Sequence, residues 1–326
     1  MGRAVRLRKG AQIQMRINSH VHMSRLGVDF SQELGEYFAN MFAGTDCWHT
    51  QKPWVPEDFN VPPEMLIRHM DEAGVDKVVV LGIAYKFGNS YDPHAAEYVA
   101  KMVDQYPDRL IGFYTGDPLG GRDEVKRFEE AVTERGLKGL KMLPSYNYVP
   151  LNDRRIWPMY EAAEALGVPV LLHTGWSSLP EGKMLEYDHP LYTEDIVLDF
   201  PDLKLVLAHV GFAWAELVMH FMAKSPNVYA DVAFLPETAP LWRLSQMCSW
   251  AKQLGVFRRF LWGSDYPYTD FVSGYDKLGK MPGYMERHEL EPVLTEDDME
   301  SLFGGAAARL LGLAEDNGPK LGTAHC

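Results

Sequence analysis

The stretch VPVLLHTG, residues 168–175, is an apolar run closed by a histidine, a threonine and a glycine. It is too short for an ordinary helix, and its apolar residues are consecutive rather than alternating. That is the pattern of a strand buried on both faces, as in a parallel sheet covered by helices. Seven other runs read the same way: RINSHVH (16–22), KVVVLGI (77–83), LIGFYTG (110–116), LKGLKML (137–143), LKLVLAHVG (203–211), NVYADVAF (227–234) and RFLWGSDYP (259–267). Segments with helical period and punctuation fill most of the gaps. PPEMLIRHMDEAG opens on proline and ends at Gly74, and DRRIWPMYEAAEALG runs from a capping Asp153 to Gly167. Eight strand–helix units over roughly 250 residues predict a single-domain (β/α)8 TIM barrel. A doubly wound open sheet would show a Gly-rich phosphate loop after its first strand, and HVHMSRLG is not one.

Composition agrees with that reading and excludes other classes. The chain has 326 residues, 46% of them hydrophobic, enough for a large core. A net charge of −13 with no basic stripe argues against nucleic acid as partner. No run reaches the eighteen or so apolar residues of a membrane span. Cys47, Cys248 and Cys326 are odd in number and form no CxxC pair, so neither a disulfide framework nor a thiolate zinc site is expected, and a reducing cytoplasm fits. Residues 1–15 read as a loose tail, 16–312 as the barrel and 313–326 as a second tail. The connections at 23–62 and 268–294 are long and rich in aromatic residues, among them Phe38, Phe42, Trp48, Trp54, Tyr268 and Tyr275. Long ordered loops after barrel strands serve as active-site walls or lids, or pack on themselves.

The polar residues on these strands cluster at one end. His20 and His22 sit two apart at the end of the first strand, so both imidazoles face one side. Lys141, His173, His209 and Asp265 fall at or near the ends of the fourth, fifth, sixth and eighth strands. Barrel enzymes carry their chemistry at that end. Four histidines and an aspartate there make a nitrogen and oxygen set suited to zinc or a neighbouring divalent metal.

Together the HxH of the first strand, the LLHTG and LAHVG strand ends, WGSDYP, and the terminal LFGGAAARLLGL resemble the amidohydrolase superfamily. The resemblance covers roughly residues 16–312 and points to the amidohydrolase-related branch that includes aminocarboxymuconate-semialdehyde decarboxylase. It implies one divalent metal, zinc first and manganese second, held by His20, His22, His173 and Asp265. Asp265 and His209 are the implied proton-handling pair. Asn18 departs from the Asp-x-His-x-His often found in relatives. Binuclear members bridge two metals through a carbamylated lysine at the position of Lys141; here a single metal is expected, with Lys141 binding an anion or packing.

Relatives hydrolyse amides and lactones, decarboxylate aromatic or muconate-like acids, or hydrate double bonds. The first reading is hydrolysis of an amide or lactone of a small carboxylated cyclic or aromatic compound; the alternative is non-oxidative decarboxylation of an aromatic or muconate-like acid. Arg25, Lys52, Lys141 and Arg243 are candidates to hold a substrate carboxylate, Trp176 and Tyr146 to wall the pocket, and His49 to touch substrate. The resemblance also implies a homodimer.

Overall fold

The computed structural model describes residues 15–84, 86, 95–177 and 183–314. The expected tails fall almost wholly outside these residues, as does Cys326. Eight parallel strands follow one another in chain order: β1 (Ile17–His22), β2 (Lys77–Leu81), β3 (Leu110–Thr115), β4 (Leu140–Met142), β5 (Val170–Leu172), β6 (Leu205–Leu207), β7 (Val228–Asp231) and β8 (Phe260–Leu261). The ring closes between β8 and β1. Ser19 N–H donates to Trp262 O at 2.9 Å, Asp265 N–H to His20 O at 2.9 Å, and His22 N–H to Tyr266 O at 2.7 Å. Gly263 permits that closure, because a Cβ there would stand 2.8 Å from the Cβ of His20. The protein is a (β/α)8 barrel, as the alternation of runs predicts.

Period two along the strands divides their side chains between two cores. Val78, Val80, Leu140, Met142, Val170, Leu172, Leu205 and Leu207 face outward and join the layer between barrel and helices. Val79, Leu81, Ile111, Phe113, Leu171, Val206 and Leu261 fill the interior, where Ala306–Leu310 packs against them. Inward positions further along the same strands therefore carry Lys141, His173 and Asp231 to the mouth. Among the described residues no helix is long and apolar enough to cross a membrane.

The strands are shorter than the apolar runs because several turn sharply at their ends. After β6, four residues in a row adopt positive φ: His209 (59°), Val210 (46°), Gly211 (64°) and Phe212 (48°). Simple alternation from the inward Val206 and Ala208 would place His209 outside; this left-handed turn brings it back to the mouth. Gly175, at φ +90°, lies against that turn, and a Cβ on it would come within 2.3 Å of the Gly211 carbonyl. The two H-x-G motifs are thus a matched pair of corners.

The long connections contain helices of their own. Gln32–Met41 is capped by Ser31, whose side chain accepts from Leu34 N–H, and it buries Leu34 and Phe38 on one face. Ser273–Gly279 and Met281–Arg287 occupy the connection after β8. Phe30, Phe38, Phe59, Leu143 and Tyr146 form a separate apolar cluster over the mouth, with Phe42, Trp54 and Tyr268 packed against it.

Candidate metal centre

β1 places the two imidazoles of His20 and His22 with their Nε2 atoms 3.2 Å apart. Asp265, held at φ 72° just beyond β8, sets Oδ1 3.5 Å from each of them. These three side chains form a group whose donor atoms all lie within 4.8 Å of one another. His20 is fixed by Asp231, whose Oδ2 stands 2.9 Å from His20 Nδ1. With the proton on Nδ1 donated to that carboxylate, the Nε2 lone pair of His20 points into the group. Asp231 Oδ1 accepts from the backbone N–H of His209 (2.8 Å) and of Ala233 (3.0 Å), so one buried carboxylate positions two histidines.

Asn18 extends the scaffold. Its Nδ2 donates to Ser264 Oγ at 2.7 Å, and its Oδ1 accepts from the N–H groups of His20 and Ser264 at 3.1 Å. The amide, a donor and acceptor at once, ties β1 to the segment that carries Asp265.

His209 Nδ1 lies 2.8 Å from Ala233 O, and His173 Nε2 lies 2.6 Å from Trp176 O. Each nitrogen must donate to its carbonyl. Neutral His209 Nε2 and His173 Nδ1, 3.3 Å apart, then face each other as two acceptors. His173 therefore stands beside the group formed by His20, His22 and Asp265, and His209 lies between, its ring centre 5.2 Å from that of His20.

Burial sets the charge states. It holds His20, His22 and His173 well below the usual histidine pKa and brings His209 down to about 4, with Lys141 adding to each depression. Burial likewise raises Asp265 to about 7 against the pull of Lys141. Lys141 is fully buried, its Nζ 3.2 Å from His20 Nε2, and burial lowers it to about 8 although Asp231 and Asp265 oppose the shift.

The residues fit a divalent ion. Two imidazole lone pairs and a carboxylate oxygen converge, and the Nδ1 of His22 is buried with no hydrogen-bond partner. With Asp231 and Asp265 ionised, Lys141 charged and the histidines neutral, the cluster carries one net negative charge, which favours a cation.

Above the group opens a narrow cavity, lined by His22, His173, His209 and Asp265 at its floor. Its walls are rings, among them Phe38, Phe42, Tyr146, Trp176, Phe212 and Tyr268. Trp176 and Tyr146 thus lie where a substrate would touch them. The remaining charged candidates do not line this cavity. Arg25 is committed to Asp29 and to the ring of Tyr98, 4.2 Å from its guanidinium; Lys52 is exposed; Arg243 bonds Gln246 on its own helix. His49 lies beside Asp58 in the first long connection. The sequence reading passed over Asp231. Its signal was present, since the residue ends the run NVYAD just as His173 and His209 end theirs.

A parallel barrel with imidazoles and carboxylates gathered at the C-terminal ends of its strands defines an enzyme of the metal-centred barrel class. The chain belongs to the amidohydrolase family, whose profile matches residues 45–313. It is similar to 2-amino-3-carboxymuconate-6-semialdehyde decarboxylase of Dictyostelium discoideum, 22% identical over 77% of each chain. It is also similar to the gamma-resorcylate decarboxylase of Polaromonas sp. (strain JS666), 23% identical over 64% of this chain and 78% of that one. Among solved structures, the 5-carboxyvanillate decarboxylase of Novosphingobium aromaticivorans, complexed with manganese and a nitrobenzoic acid, shares the fold at a TM-score of 0.64 and 16% identity, covering 93% of this chain and 97% of that one. Of the two reactions weighed from the sequence, these relatives favour decarboxylation over hydrolysis.

Proposed function

We propose that the protein is a metal-dependent, non-oxidative decarboxylase of a small aromatic carboxylic acid. The observation that carries this reading is the pairing of a converging imidazole and carboxylate donor set with a cavity whose described walls are mainly aromatic and contain no lysine or arginine. His20, His22 and Asp265 would hold the ion, with His173 standing beside them as the further candidate ligand. When bound, a divalent ion supplies Lewis-acid charge for an anionic substrate group. Zinc and manganese both suit these donors.

The chain's own groups carry the remaining steps. The rings of Trp176, Phe212 and Tyr268 take up the flat substrate and exclude water. His209, its Nδ1–H fixed on Ala233 O, presents Nε2 as an acceptor to a substrate hydroxyl. As the bond to the carboxylate breaks and CO₂ leaves, the electron pair stays on the ring carbon. The Asp265 carboxylate takes up a proton from water at the mouth, passes it to that carbon and returns to its ionised form.

The reading places residues 16–312 in one catalytic barrel and the protein in the cytoplasm as a homodimer. Exposed Leu185, Leu191 and Leu198 support pairing of two chains; sedimentation as a 37.0 kDa species alone would oppose it. The test of function is a panel of hydroxylated benzoates and muconate-like acids beside lactones and amides, assayed for CO₂ and for released acid. CO₂ release from an aromatic acid is expected; acid release from a lactone or amide without CO₂ overturns the proposal.

A further inference from the structure

We propose that Cys47, His49 and Asp58 form a second divalent-metal site, suited to zinc, that staples the first long connection in place. One donor atom from each residue lies within 4.8 Å of the others. The site shares no residue with the centre at the mouth, and the inference does not depend on the reaction catalysed there.

Two short turns bring these donors together. In the first, Cys47 N–H donates to Lys52 O at 2.7 Å and Gln51 N–H to Cys47 O at 2.9 Å, with Asp46 and Pro53 bridged beyond them. That turn sets Cys47 and His49 on one loop. In the second, Pro56–Phe59, the Oδ2 of Asp58 accepts from Val55 N–H at 2.9 Å, which fixes the carboxylate and leaves Oδ1 3.9 Å from His49 Nε2. A ligand oxygen oriented by a backbone donor through its partner oxygen is the usual support around a metal.

The chemistry of the set selects the ion. A thiolate, an imidazole and a carboxylate match zinc, with water in the fourth position, and the two anions neutralise its charge. Tetrahedral zinc places its donors about 3.3–3.6 Å apart; Asp58 Oδ1 and His49 Nε2 stand 3.9 Å apart, and to take the ion Nε2 exchanges its 3.3 Å contact with Asp58 O for it. Cys248 offers a contrast. It is equally buried, but it belongs to no such donor group among the described residues. The spacing of the cysteines hid the site, because the other donors are a histidine and an aspartate.

The site's place in the fold gives it a purpose. Asp58 adjoins Phe59, whose ring packs on Phe38, Trp54 and Tyr268, and whose carbonyl accepts from Ser24 Oγ at 2.8 Å. Trp48, between the two metal donors, donates from Nε1 to Pro267 O at 2.9 Å. An ion at Cys47, His49 and Asp58 therefore fixes the aromatic wall of the cavity onto the barrel.

Cobalt(II) titration of the metal-free, full-length protein tests this, because a thiolate ligand gives a near-ultraviolet sulfur-to-cobalt charge-transfer band and the mouth centre offers only nitrogen and oxygen. The wild type and Cys326→Ser should both develop the band. Cys47→Ser and His49→Ala should lose it, with bound cobalt falling from about two per chain to about one. His49→Ala, which keeps the buried thiol, decides the matter where Cys47→Ser does not fold. No band in the wild type at saturating cobalt, or a band that survives in Cys47→Ser, overturns the proposal.

Discussion

Replacing Asp231 with asparagine keeps the shape of the side chain and changes one property of His20. Asparagine Oδ1 can still accept from the N–H groups of His209 and Ala233, so the backbone corner after β6 retains both bonds. The other face of Asp231 now meets His20 Nδ1 at 2.9 Å. An amide NH₂ there opposes the Nδ1–H of His20, and the imidazole relieves the clash by moving its proton to Nε2. That proton occupies the lone pair the metal needs. The lost bond joins a donor to a charged acceptor, worth about 1.5–3 kcal/mol, which corresponds to roughly a ten- to hundredfold loss of metal affinity. Competition against a chromophoric chelator measures the affinity directly, and excess metal should restore much of the turnover. An affinity within about twofold of wild type would refute both the tautomer assigned to His20 and its role as a ligand.

Asp188 is buried, its Oδ2 has no partner, and burial raises its pKa from 3.8 to about 7. The raised value means that the folded protein favours the neutral acid, so the penalty is absent below about pH 4 and complete above about pH 7. Asp188→Asn should therefore gain stability over wild type as pH rises, by at most about 4 kcal/mol at pH 8; urea unfolding at pH 5 and pH 8 with a constant difference would contradict this. Gly175→Ala places a Cβ against the Gly211 carbonyl in a left-handed conformation, and a loss of about 3 kcal/mol or more is expected in chemical denaturation. Wild-type stability in that variant would show that the two corners do not brace each other. Trp176→Ala should raise KM about tenfold with metal content unchanged, and loss of metal without a change in KM would remove Trp176 from the substrate wall.

The barrel was legible because its strands are buried on both faces and its helices carry proline and glycine at their ends. The histidines and Asp265 were legible because period two and a strand end together specify a direction. That rule has limits. His209 reaches the mouth only through a run of positive φ that the letters AHVG do not announce. Asp231 shares the strand-end position of the histidines, but its role shows only once its three donors are seen. Arg25 lies only three residues beyond His22, yet Asp29 and Tyr98 hold it away from the cavity, since partners close in sequence compete with a substrate that is not encoded there. The helix Gln32–Met41 hides in a stretch of polar and small residues, where the spacing of Leu34 and Phe38 is its main apolar signal.

The central claim is that this barrel breaks a bond between carbon and carboxylate and returns a proton to the same carbon. Reaction of the metal-loaded protein with a hydroxylated benzoate in D₂O tests it in one spectrum. The expected product is the phenol with one deuterium at the carbon that lost CO₂, formed by wild type and abolished by a chelator or by Asp265→Asn. A product that keeps its carboxylate, or deuterated phenol formed equally well by Asp265→Asn, would contradict it.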